Sequence, residues 1–472
     1  MSTRAESLLG YLSEARWFGG KGREFTVSGV RRLGTVPGRA EPPVVIDLVE
    51  VTYPSHSPEP DEKELYQLPL VLATEPEAGL DSAFVGWWED PDHGWVHAYD
   101  ALHDRASTTL LLEAIAAEAD ADGLDFVRLP GHELELDAVP SLFSGEQSNS
   151  SVLFGEDSVL KVFRKITPGA NPDITTHQVL TEADSPHVAA LYGWIAAEDP
   201  GGTGEPLHLA MLQQFLRTAS DGWEIALASV RDLFSEADLH AEEVGGDFAA
   251  EAARLGTALA EVHVQLREAF GADTLDAAVV AQQMALRLGA AIDVVPALAE
   301  HADRLRGAYG ALADLGKIDV QRIHGDLHLG QTLRTIKGWK LVDFEGEPAK
   351  PLAERLLPDS PWRDVAGMLR SFDYAPHAMA RSLPEDDPDV SAQRERRAEE
   401  WAARNKAAFL TTYAGAKATT AGGEEMTLTQ EEGVLVAAYV ADKTVYECVY
   451  EARNRPSWLP IPLAAAAKVG TP

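Results

Sequence analysis

The pattern of apolar residues changes once along this chain, and that change limits the fold more than any other feature. Up to about residue 215, apolar residues form short runs separated by turns, as in Val44–Val49 and in the pair 151–154 and 159–163. After about residue 216 they recur every three or four positions, as in 247–267. Runs of strands followed by runs of helices are typical of α+β proteins. We therefore predict an α+β fold with its strands concentrated in the first half.

This pattern divides the chain into three segments. They are a β-rich module at residues 1–125, a strand–turn–strand segment at 126–215 and a mostly helical segment at 216–472. In the first, Leu68–Leu72 is expected to be an edge strand, because Pro69 has no amide hydrogen to donate to a neighbouring strand. Residues 54–63, which are rich in proline and charge, are typical of an exposed hairpin loop.

The second and third segments carry turn and helix signals. Gly155–Ser158 is predicted to join two strands as a four-residue hairpin loop. Asn171-Pro172-Asp173 supplies the cap, the proline and the early acid that are typical of a helix start. The third segment contains two predicted amphipathic helices, 247–267 and 362–373, and two polar stretches expected to be surface loops, 383–395 and 414–427.

Composition excludes several classes of function. The 472 residues include 75 acidic and 40 basic side chains, which gives a formal net charge of −35. Such a surface repels phosphate backbones and anionic lipids, so neither nucleic acid nor a membrane surface is expected as a partner. A single cysteine, Cys448, allows no internal disulfide and fits a reducing compartment. Without a long apolar run or a signal-peptide pattern, the chain is expected to be soluble and cytoplasmic.

The densest group of reactive side chains lies in two short stretches of the third segment. In the first, Asp326 precedes an amide side chain by five residues; in the second, an apolar pair leads directly into two acids. Oxygen ligands of this kind can hold Mg²⁺ together with phosphate oxygens, which leaves one carboxylate to orient and deprotonate a hydroxyl. Asp364, on a later helix, is expected to support the loop by accepting its backbone amides. The predicted catalytic base is Asp326, and the predicted Mg²⁺ ligands are Gln331, Asp343 and Glu345.

Phosphoryl transfer also needs groups that bind a nucleoside triphosphate. Lys161 is the only charged residue in an otherwise apolar strand, and we expect it to contact phosphate oxygens of ATP. Its acidic partner on the following helix is either Asp173 or Glu182. A run of small polar residues before the hairpin can present amides and hydroxyls to the phosphates. The predicted phosphate-binding residues in that run are Gln147, Ser148, Asn149 and Ser150.

A stripe near the C-terminus is predicted to bind the acceptor. Its residues recur at spacings of four, three, four and three, which places them on one face of a helix. An aromatic core face is the alternative, but two cations in the stripe argue against a dry core. Aromatic rings with interleaved charges suit a sugar, whose ring faces stack and whose hydroxyls need fixed partners. The stripe begins at Tyr439, and the predicted acceptor residues are His328, Lys443, Tyr446, Glu447, Tyr450 and Arg453; Trp458 fits either packing or substrate binding.

Several motifs together resemble the actinobacterial maltokinases, in the aminoglycoside-phosphotransferase-like group of kinases. These motifs are Arg16-Trp17-Phe18, Leu160–Arg164, Val244–Phe248, His324–Gln331, Asp343–Pro348, Arg453–Pro456 and Trp458–Leu463. The resemblance implies a bilobal fold like that of eukaryotic protein kinases, with an N-terminal β-rich cap. It also implies ATP- and Mg²⁺-dependent phosphorylation of maltose at its anomeric hydroxyl, giving maltose 1-phosphate for α-glucan and glycogen synthesis. A trehalose synthase enters as a candidate partner on the same ground.

Three alternatives stay open on the sequence. A glucosamine or aminoglycoside kinase would share the fold, but a cationic acceptor calls for a carboxylate cluster, whereas Lys443 and Arg453 favour a neutral sugar. A metallohydrolase could bind Zn²⁺ through His324, Asp326 and His328, although no second histidine pair supports it. An inactive kinase fold that serves as a binding module is disfavoured, because the lysine, the base and the metal-binding acids are all present.

Overall fold

The computed structural model describes residues 3–470 except 40, 56–60, 122, 144–147, 237, 348–349, 385–387, 421–426 and the side chains of 418–420. The chain separates into two compact units. The first comprises residues 1–178 and 189–217, and the second comprises residues 179–188 and 218–472. Each unit has its own sheets and its own hydrophobic core.

The first unit contains most of the strands. In chain order its elements are α1 (Arg4–Glu14), β1 (Thr26–Thr35), β2 (Val44–Tyr53), β3 (Glu62–Ala73), β4 (Phe84–Asp90), β5 (Gly94–Asp100), α2 (Arg105–Ala116), β6 (Asp120–Ala121), β7 (Leu124–Arg128), β8 (Pro140–Phe143), β9 (Ser150–Phe154), β10 (Ser158–Val162), β11 (Lys165–Ile166), α3 (Pro172–Glu182), β12 (Leu191–Glu198) and β13 (Pro206–Gln214). The last residues of α3 are counted with the second unit.

Two antiparallel sheets make up this unit. The first has the order β1-β2-β3-β5-β4, with the short strand β11 also paired to β3, and the second has the order β6-β7-β12-β13-β10-β9-β8. The predicted hairpin of β9 and β10 is confirmed, and it places Lys161 opposite Ser151. One buried cluster contains Ile46 of the first sheet together with Leu160 and Leu209 of the second. The two sheets therefore share a core.

Strand β3 lies inside its sheet, so the predicted edge strand at residues 68–72 is wrong. One side of β3 pairs with β2, and the other side pairs with β5 over residues 70–73 and with β11 over residues 65–66. The amide of Gln67 points to the β11 side, where it donates to the carbonyl of Arg164. Because amides alternate along a strand, the nitrogen of Pro69 faces that same side, in the gap between the two short ladders. The missing hydrogen therefore costs no interstrand bond.

The second unit is mostly helical, as predicted. In chain order its elements are β14 (Ser220–Asp221), α4 (Gly222–Ser235), α5 (Ala249–Phe270), β15 (Ala272–Asp276), α6 (Ala277–Val294), α7 (Ala302–Ala313), β16 (Lys317–Gln321), β17 (Thr332–Thr335), β18 (Gly338–Leu341), α8 (Leu352–Arg355), α9 (Trp362–Ser382), α10 (Pro388–Thr420), α11 (Gln430–Asn454) and α12 (Pro460–Lys468). Helices α5, α9, α10 and α11 bury their apolar faces in one large core. The helix predicted over 362–373 continues to Ser382, with Pro376 inside it.

The described parts of both stretches predicted as surface loops in this unit are mostly helical, so the loop prediction is wrong for residues 388–395 and 414–420. Helix α10 includes residues 388–395 and 414–420, while 385–387 and 421–426 lie outside the described residues. Trp401, Asn405, Phe409 and Tyr413 recur every four positions along α10 and are buried. Tertiary packing of that face holds the helix, although both of its ends are polar.

Helix α6 is, within the part of the chain that the structure describes, long and apolar enough to cross a membrane by length and composition alone. One face of α6, which includes Met284, Leu288 and Ala291, is buried in the core of the second unit. On another face, Arg287 forms a two-point ion pair with Asp442 of α11. One-sided burial with a charged partner is the pattern of an amphipathic helix in a folded core.

Candidate functional site

The loop between β16 and β17 carries Asp326, and Asp364 of α9 fixes its backbone. One oxygen of Asp364, Oδ2, accepts the amide hydrogen of His324 at 2.7 Å, and the other, Oδ1, accepts that of Gly325 at 2.8 Å. Gly325 has a φ of +87°, a conformation that favours glycine. The supporting role predicted for Asp364 is thus confirmed.

Helix α9 approaches this loop closely at Gly367. A Cβ atom built at that position would lie 2.3 Å from the carbonyl oxygen of Leu327. No residue with a side chain fits there without moving the loop or the helix. The loop and the first half of α9 are therefore packed in direct backbone contact.

The carboxylate of Asp364 is buried and ionised. The Nε2 atom of His263 donates to Oδ2 of Asp364 at 3.1 Å, and the other ring nitrogen of His263 lies 2.9 Å from the hydroxyl of Tyr413. Burial alone would raise the pKa of Asp364, but the hydrogen bond with His263 and the amide of Gly325 hold it below its ordinary value. The loop amides consequently donate to a full negative charge, which makes these hydrogen bonds strong.

Asp326 is paired with a cation from α11. The ammonium nitrogen of Lys443 lies 3.1 Å from Oδ1 of Asp326, and both side chains are about a quarter exposed. Burial would raise the pKa of Asp326, but Lys443 and the nearby His328 lower it below its ordinary value. A weakly basic carboxylate suits phosphoryl transfer, because the loose transition state requires the hydroxyl to be oriented more than to be deprotonated early.

The predicted Mg²⁺ ligands of the second unit lie around the end of β18. The side-chain amide of Gln331 donates to Oδ2 of Asp343 at 3.0 Å, so the amide and the carboxylate are adjacent. Asp343 has a φ of +68°, which is uncommon for a residue with a Cβ and is typical of functional positions. Glu345 follows two residues later, and its carbonyl accepts from Arg355 at 3.0 Å. Two carboxylates and an amide are an oxygen donor set that fits Mg²⁺.

Both histidines of the loop form hydrogen bonds with backbone atoms. The Nε2 atom of His324 lies 3.0 Å from the carbonyl oxygen of Val342, and its Nδ1 accepts from the amide of Asp326 at 3.4 Å. The Nδ1 atom of His328 accepts from the amide of Gly330 at 3.1 Å. Burial lowers the pKa of His328, although Asp326 opposes the shift. Three of the four ring nitrogens are thus hydrogen-bonded to the chain itself, which argues against the zinc site considered above.

A cavity of about 920 Å³ opens beside Asp326 in the second unit. Its walls come from the loop that carries Asp326, from α9, from the start of α4 and from α11. The structure brings together every residue predicted to bind the acceptor: His328, Lys443, Tyr446, Glu447, Tyr450 and Arg453 all line this cavity. Its size and its mixture of aromatic and charged groups are those of a small-molecule site.

The α11 wall combines aromatic rings with fixed charges. The rings of Tyr446 and Tyr450 lie 6.3 Å apart and nearly parallel, and the ammonium of Lys443 sits 4.8 Å from the centre of the Tyr446 ring. Glu447 is buried and accepts from Arg370 at 2.7 and 2.9 Å; burial raises its pKa. Tyr439, the first member of the stripe, packs in the core and donates its hydroxyl to Asp359 at 3.0 Å.

Sequence reasoning missed part of the cavity wall. Trp223 and Glu224 at the start of α4, and Tyr374 of α9, line the cavity. Trp458 also lines it while its ring stacks on Tyr374 at 6.4 Å, so Trp458 takes part in packing, and substrate binding by it stays a prediction. The available signal for Trp223 was an aromatic residue two positions after the helix cap Asp221. What places it is a tight approach, since a Cβ at Gly222 would lie 2.1 Å from the hydroxyl of Thr332.

In the first unit, Lys161 has a defined acidic partner. Its ammonium lies 3.0 Å from Oδ2 of Asp173, the first acid of α3. Of the two acids that the sequence offered as the partner of Lys161, it is therefore Asp173 rather than Glu182 that forms the ion pair. His177, one turn later, lies 3.0 Å from the other oxygen of Asp173. Burial would raise the pKa of Asp173, but Lys161 and His177 lower it strongly. The pair fixes the direction of a mostly buried lysine.

The run of small polar residues before β9 is only partly described. Gln147 lies outside the described residues, whereas Ser148 and Asn149 precede the strand and Ser150 opens it. The hydroxyl of Ser150 is buried and accepts from Nε of Arg164 at 2.8 Å. Contact of these residues with phosphates stays a prediction.

Comparison with known proteins identifies an N-terminal domain and the fold of the chain. Residues 11–104 match the maltokinase N-terminal cap domain. The chain is 28% identical over 333 residues to a glucosamine kinase of Streptacidiphilus jiangxiensis, and this match covers 67% of this chain and 70% of the relative. It is also 28% identical over 333 residues to a glucosamine kinase of Mycolicibacterium smegmatis, and that match covers 68% of this chain and 77% of the relative. A solved glucosamine kinase in complex with glucosamine, ADP and inorganic phosphate covers 98% of both chains, with a TM-score of 0.69 at 21% identity. The predicted fold is confirmed: the chain carries a maltokinase N-terminal cap domain on the aminoglycoside-phosphotransferase-like, protein-kinase-like fold of the glucosamine kinases.

Proposed function

We propose that this protein is an ATP-dependent sugar kinase that phosphorylates the anomeric hydroxyl of maltose, giving maltose 1-phosphate for α-glucan and glycogen synthesis. Its similarity to glucosamine kinases supports the broader part of this function, phosphoryl transfer to a sugar or an aminoglycoside. The cap domain supports maltose as the acceptor. The observation that carries the acceptor choice is the pair of Lys443 and Asp326, 3.1 Å apart at the cavity.

A cation beside the catalytic carboxylate favours a neutral acceptor. A sugar hydroxyl can donate its hydrogen to Asp326 and accept one from Lys443, whereas a protonated amine in the same place meets a like charge. Such repulsion at about 4 Å amounts to roughly 1 kcal/mol in water and about 4 kcal/mol near a protein surface. The near-parallel rings of Tyr446 and Tyr450 suit the apolar faces of sugar rings.

ATP and Mg²⁺ are the proposed cofactors. In this proposal Lys161 contacts the phosphates, and the residues that would hold Mg²⁺ are Gln331, Asp343 and Glu345. The metal would supply positive charge that neutralises the phosphate oxygens. Asp326 orients the anomeric hydroxyl. The hydroxyl oxygen bonds to the terminal phosphorus of ATP as the bond between that phosphorus and ADP breaks, and the hydroxyl proton passes to Asp326.

Glucosamine is the second candidate acceptor. The curated relatives are glucosamine kinases, and five carboxylates line the cavity: Asp221, Glu224, Asp326, Glu447 and Glu451. Four of them are already engaged: Asp326 with Lys443, Glu447 with Arg370, Glu451 with Arg455, and Asp221 with the backbone amide of Glu224. Glu224, at the start of α4, is the remaining carboxylate on the lining that could meet an amine. A trehalose synthase as a partner remains a proposal that rests on the sequence resemblance.

An acceptor panel tests the proposed function. Release of ADP is measured with ATP, Mg²⁺ and maltose, glucose, glucosamine or kanamycin as the acceptor. We expect the highest kcat/KM with maltose, and acid-labile phosphate on its reducing-end glucose. Efficient phosphorylation of glucosamine without turnover of maltose would reject maltose, and no turnover with any of the four would reject the sugar-kinase proposal.

Replacing Lys443 by methionine should change the pH profile of the reaction. The charge of Lys443 holds the pKa of Asp326 down, so its removal leaves burial to raise that pKa. The acidic limb of kcat/KM, where Asp326 becomes protonated, should therefore move to higher pH. The matched control is Lys337→Met, in the exposed turn between β17 and β18. An acidic limb that stays in place in Lys443→Met would show that this ion pair does not set the pKa of the base.

Replacing Lys161 by alanine should weaken the use of ATP. The change removes the predicted phosphate contact and leaves the buried Asp173 without its cation, and we expect kcat/KM for ATP to fall roughly 30-fold, equivalent to about 2 kcal/mol. The KM for the sugar should change little. Lys63→Ala, which removes an exposed ion pair with Glu50 in the cap, is the control. Unaltered ATP kinetics in Lys161→Ala would remove Lys161 from the nucleotide site.

A further inference from the structure

A buried arginine ties the strand that carries Lys161 to the N-terminal cap. Arg164 lies two residues beyond the end of β10, and its side chain is 1% exposed. Its Nη2 donates to Oδ2 of Asp100 at 2.6 Å. Asp100 ends strand β5 of the cap sheet, the sheet β1-β2-β3-β5-β4 whose strands lie within the cap domain. Its Nε donates to the hydroxyl of Ser150 at 2.8 Å, and Ser150 opens β9. One guanidinium therefore joins the cap to the predicted phosphate-binding run.

The backbone around Arg164 is held by the cap as well. Directly after it the chain enters the cap sheet as β11, which pairs with β3. Gln67 of β3, which is buried, donates from its side chain to the carbonyls of Phe163, at 2.6 Å, and Leu209. The amide of Gln67 donates to the carbonyl of Arg164 at 2.9 Å. Three residues separate Lys161 of β10 from β11, which pairs with strand β3 of the cap.

The ion pair of Arg164 and Asp100 is buried, and further contacts fix its geometry. The hydroxyl of Tyr11 donates to Asp100 at 2.6 Å, and the indole of Trp17 covers the guanidinium at 4.6 Å. Burial would raise the pKa of Asp100, yet Arg164 and Tyr11 hold it below its ordinary value, so the carboxylate is charged. A buried ion pair adds little net stability compared with apolar packing of the same volume, whereas its geometry is strict.

We propose that Arg164 is a positioning residue for nucleotide binding, and that the cap is thereby part of the nucleotide-binding machinery. Ser150 pairs with Val162, and Ser151 with Lys161, across the hairpin. By holding Ser150 against Asp100, Arg164 fixes the open end of this hairpin, and with it the direction of Lys161 and the start of the phosphate-binding run. The inference rests on the proposed function in one respect, the binding of ATP phosphates by these residues.

The test compares Arg164 with another ion-paired arginine of the same unit, Arg32, whose side chain is 20% exposed. Arg164→Met is expected to raise the KM for ATP, and the dissociation constant of ATP measured by calorimetry, about tenfold or more, because small displacements of positioning groups are costly. The KM for the sugar should stay within twofold of wild type. Arg32→Met is the control, since Arg32 bridges Asp47 and Asp90 within the cap, at 2.9 and 2.8 Å, away from the hairpin. We expect it to lower the Tm and to leave ATP binding unchanged.

Three further variants keep the test decisive if Arg164→Met does not fold. Ser150→Ala removes the link while the charges of Arg164 and Asp100 stay paired, and Arg164→Met with Asp100→Asn removes both charges; each should weaken ATP binding. Arg164→Lys keeps the positive charge and should weaken ATP binding less. A lowered Tm with unchanged ATP binding in Arg164→Met or in the double variant would show a purely structural role and overturn the proposal. If wild type binds ATP but does not phosphorylate maltose, the proposed acceptor fails while the titration still decides this point. If wild type binds no ATP, both proposals fall.

Discussion

Asp326→Asn should reduce kcat for sugar phosphorylation by about 10³-fold, within the 10²- to 10⁴-fold range of general-base catalysis. Asparagine keeps the size of the side chain and one oxygen that can face Lys443, but it can neither accept the hydroxyl proton nor attract it by charge. The KM for ATP should change little, because phosphate contacts are assigned to other residues. The measurement is steady-state ADP release with the acceptor and the nucleotide varied in turn.

A matched control separates chemistry from general damage in this experiment. Asp319→Asn changes an exposed carboxylate of β16 that pairs with Arg267 at 3.1 Å, and it should retain wild-type kcat. Both variants should unfold at temperatures close to that of wild type. If Asp326→Asn retained more than about a tenth of wild-type kcat, the hydroxyl proton would be going elsewhere, and Asp326 would not be the base.

Asp364→Ala should have the largest effect on stability. The change leaves two backbone amides without an acceptor, that of His324, which is buried, and that of Gly325, which is partly buried. Each unsatisfied buried donor costs about 1–3 kcal/mol, so we expect the free energy of unfolding to fall by about 3 kcal/mol or more. Activity should fall with it, because the same amides hold the loop that carries Asp326. Urea unfolding followed by circular dichroism gives the free energy.

Two comparisons sharpen this prediction. Asp364→Asn keeps one acceptor oxygen, so its free energy of unfolding should fall by less than that of Asp364→Ala. Asp373→Ala, on the same helix, removes a quarter-exposed carboxylate that pairs with Arg370 and Lys406, and should cost less than about 1 kcal/mol. Equal unfolding free energies in Asp364→Ala and Asp373→Ala would mean that the loop amides find other acceptors.

The stability difference between wild type and Asp364→Ala should depend on pH in a defined direction. The folded-state pKa of Asp364 is lowered, so its contribution is fully present above the unfolded-state pKa, near pH 4. It is lost as the pH falls through the folded-state pKa. The difference should therefore be constant between pH 7 and about pH 5 and should shrink below about pH 4. A difference that grew on acidification would contradict the sign.

Much of the fold and of the site could be predicted from short-range pattern. The spacing of the stripe from Lys443 to Arg453 defines a helix face, and a lone lysine in an apolar strand marked Lys161, because both signals depend only on neighbours in sequence. The central position of β3 could not be predicted, since it depends on where two separate ladders end on either side of Pro69. Likewise, α10 owes its length to packing of its buried face.

The remaining part of the site depends on contacts distant in sequence. Arg164 showed no sign of its partners, because Asp100 lies 64 residues earlier in the chain. Trp223 and Tyr374 reach the cavity only through the packing of their helices around the catalytic loop. Predicting them requires the relative placement of helices, which depends on many weak contacts at once.

The close approach at Gly367 has a consequence for how such an enzyme can change during evolution. Where the backbone of α9 touches the backbone of the loop, at Gly367, no residue with a side chain fits, so this position is closed to substitution. The α11 wall of the cavity is built from side chains instead, and Tyr446, Tyr450 and Arg453 can be exchanged without changing that backbone contact. The preference for an acceptor can therefore drift at these positions of α11 while the placement of Asp326 is inherited.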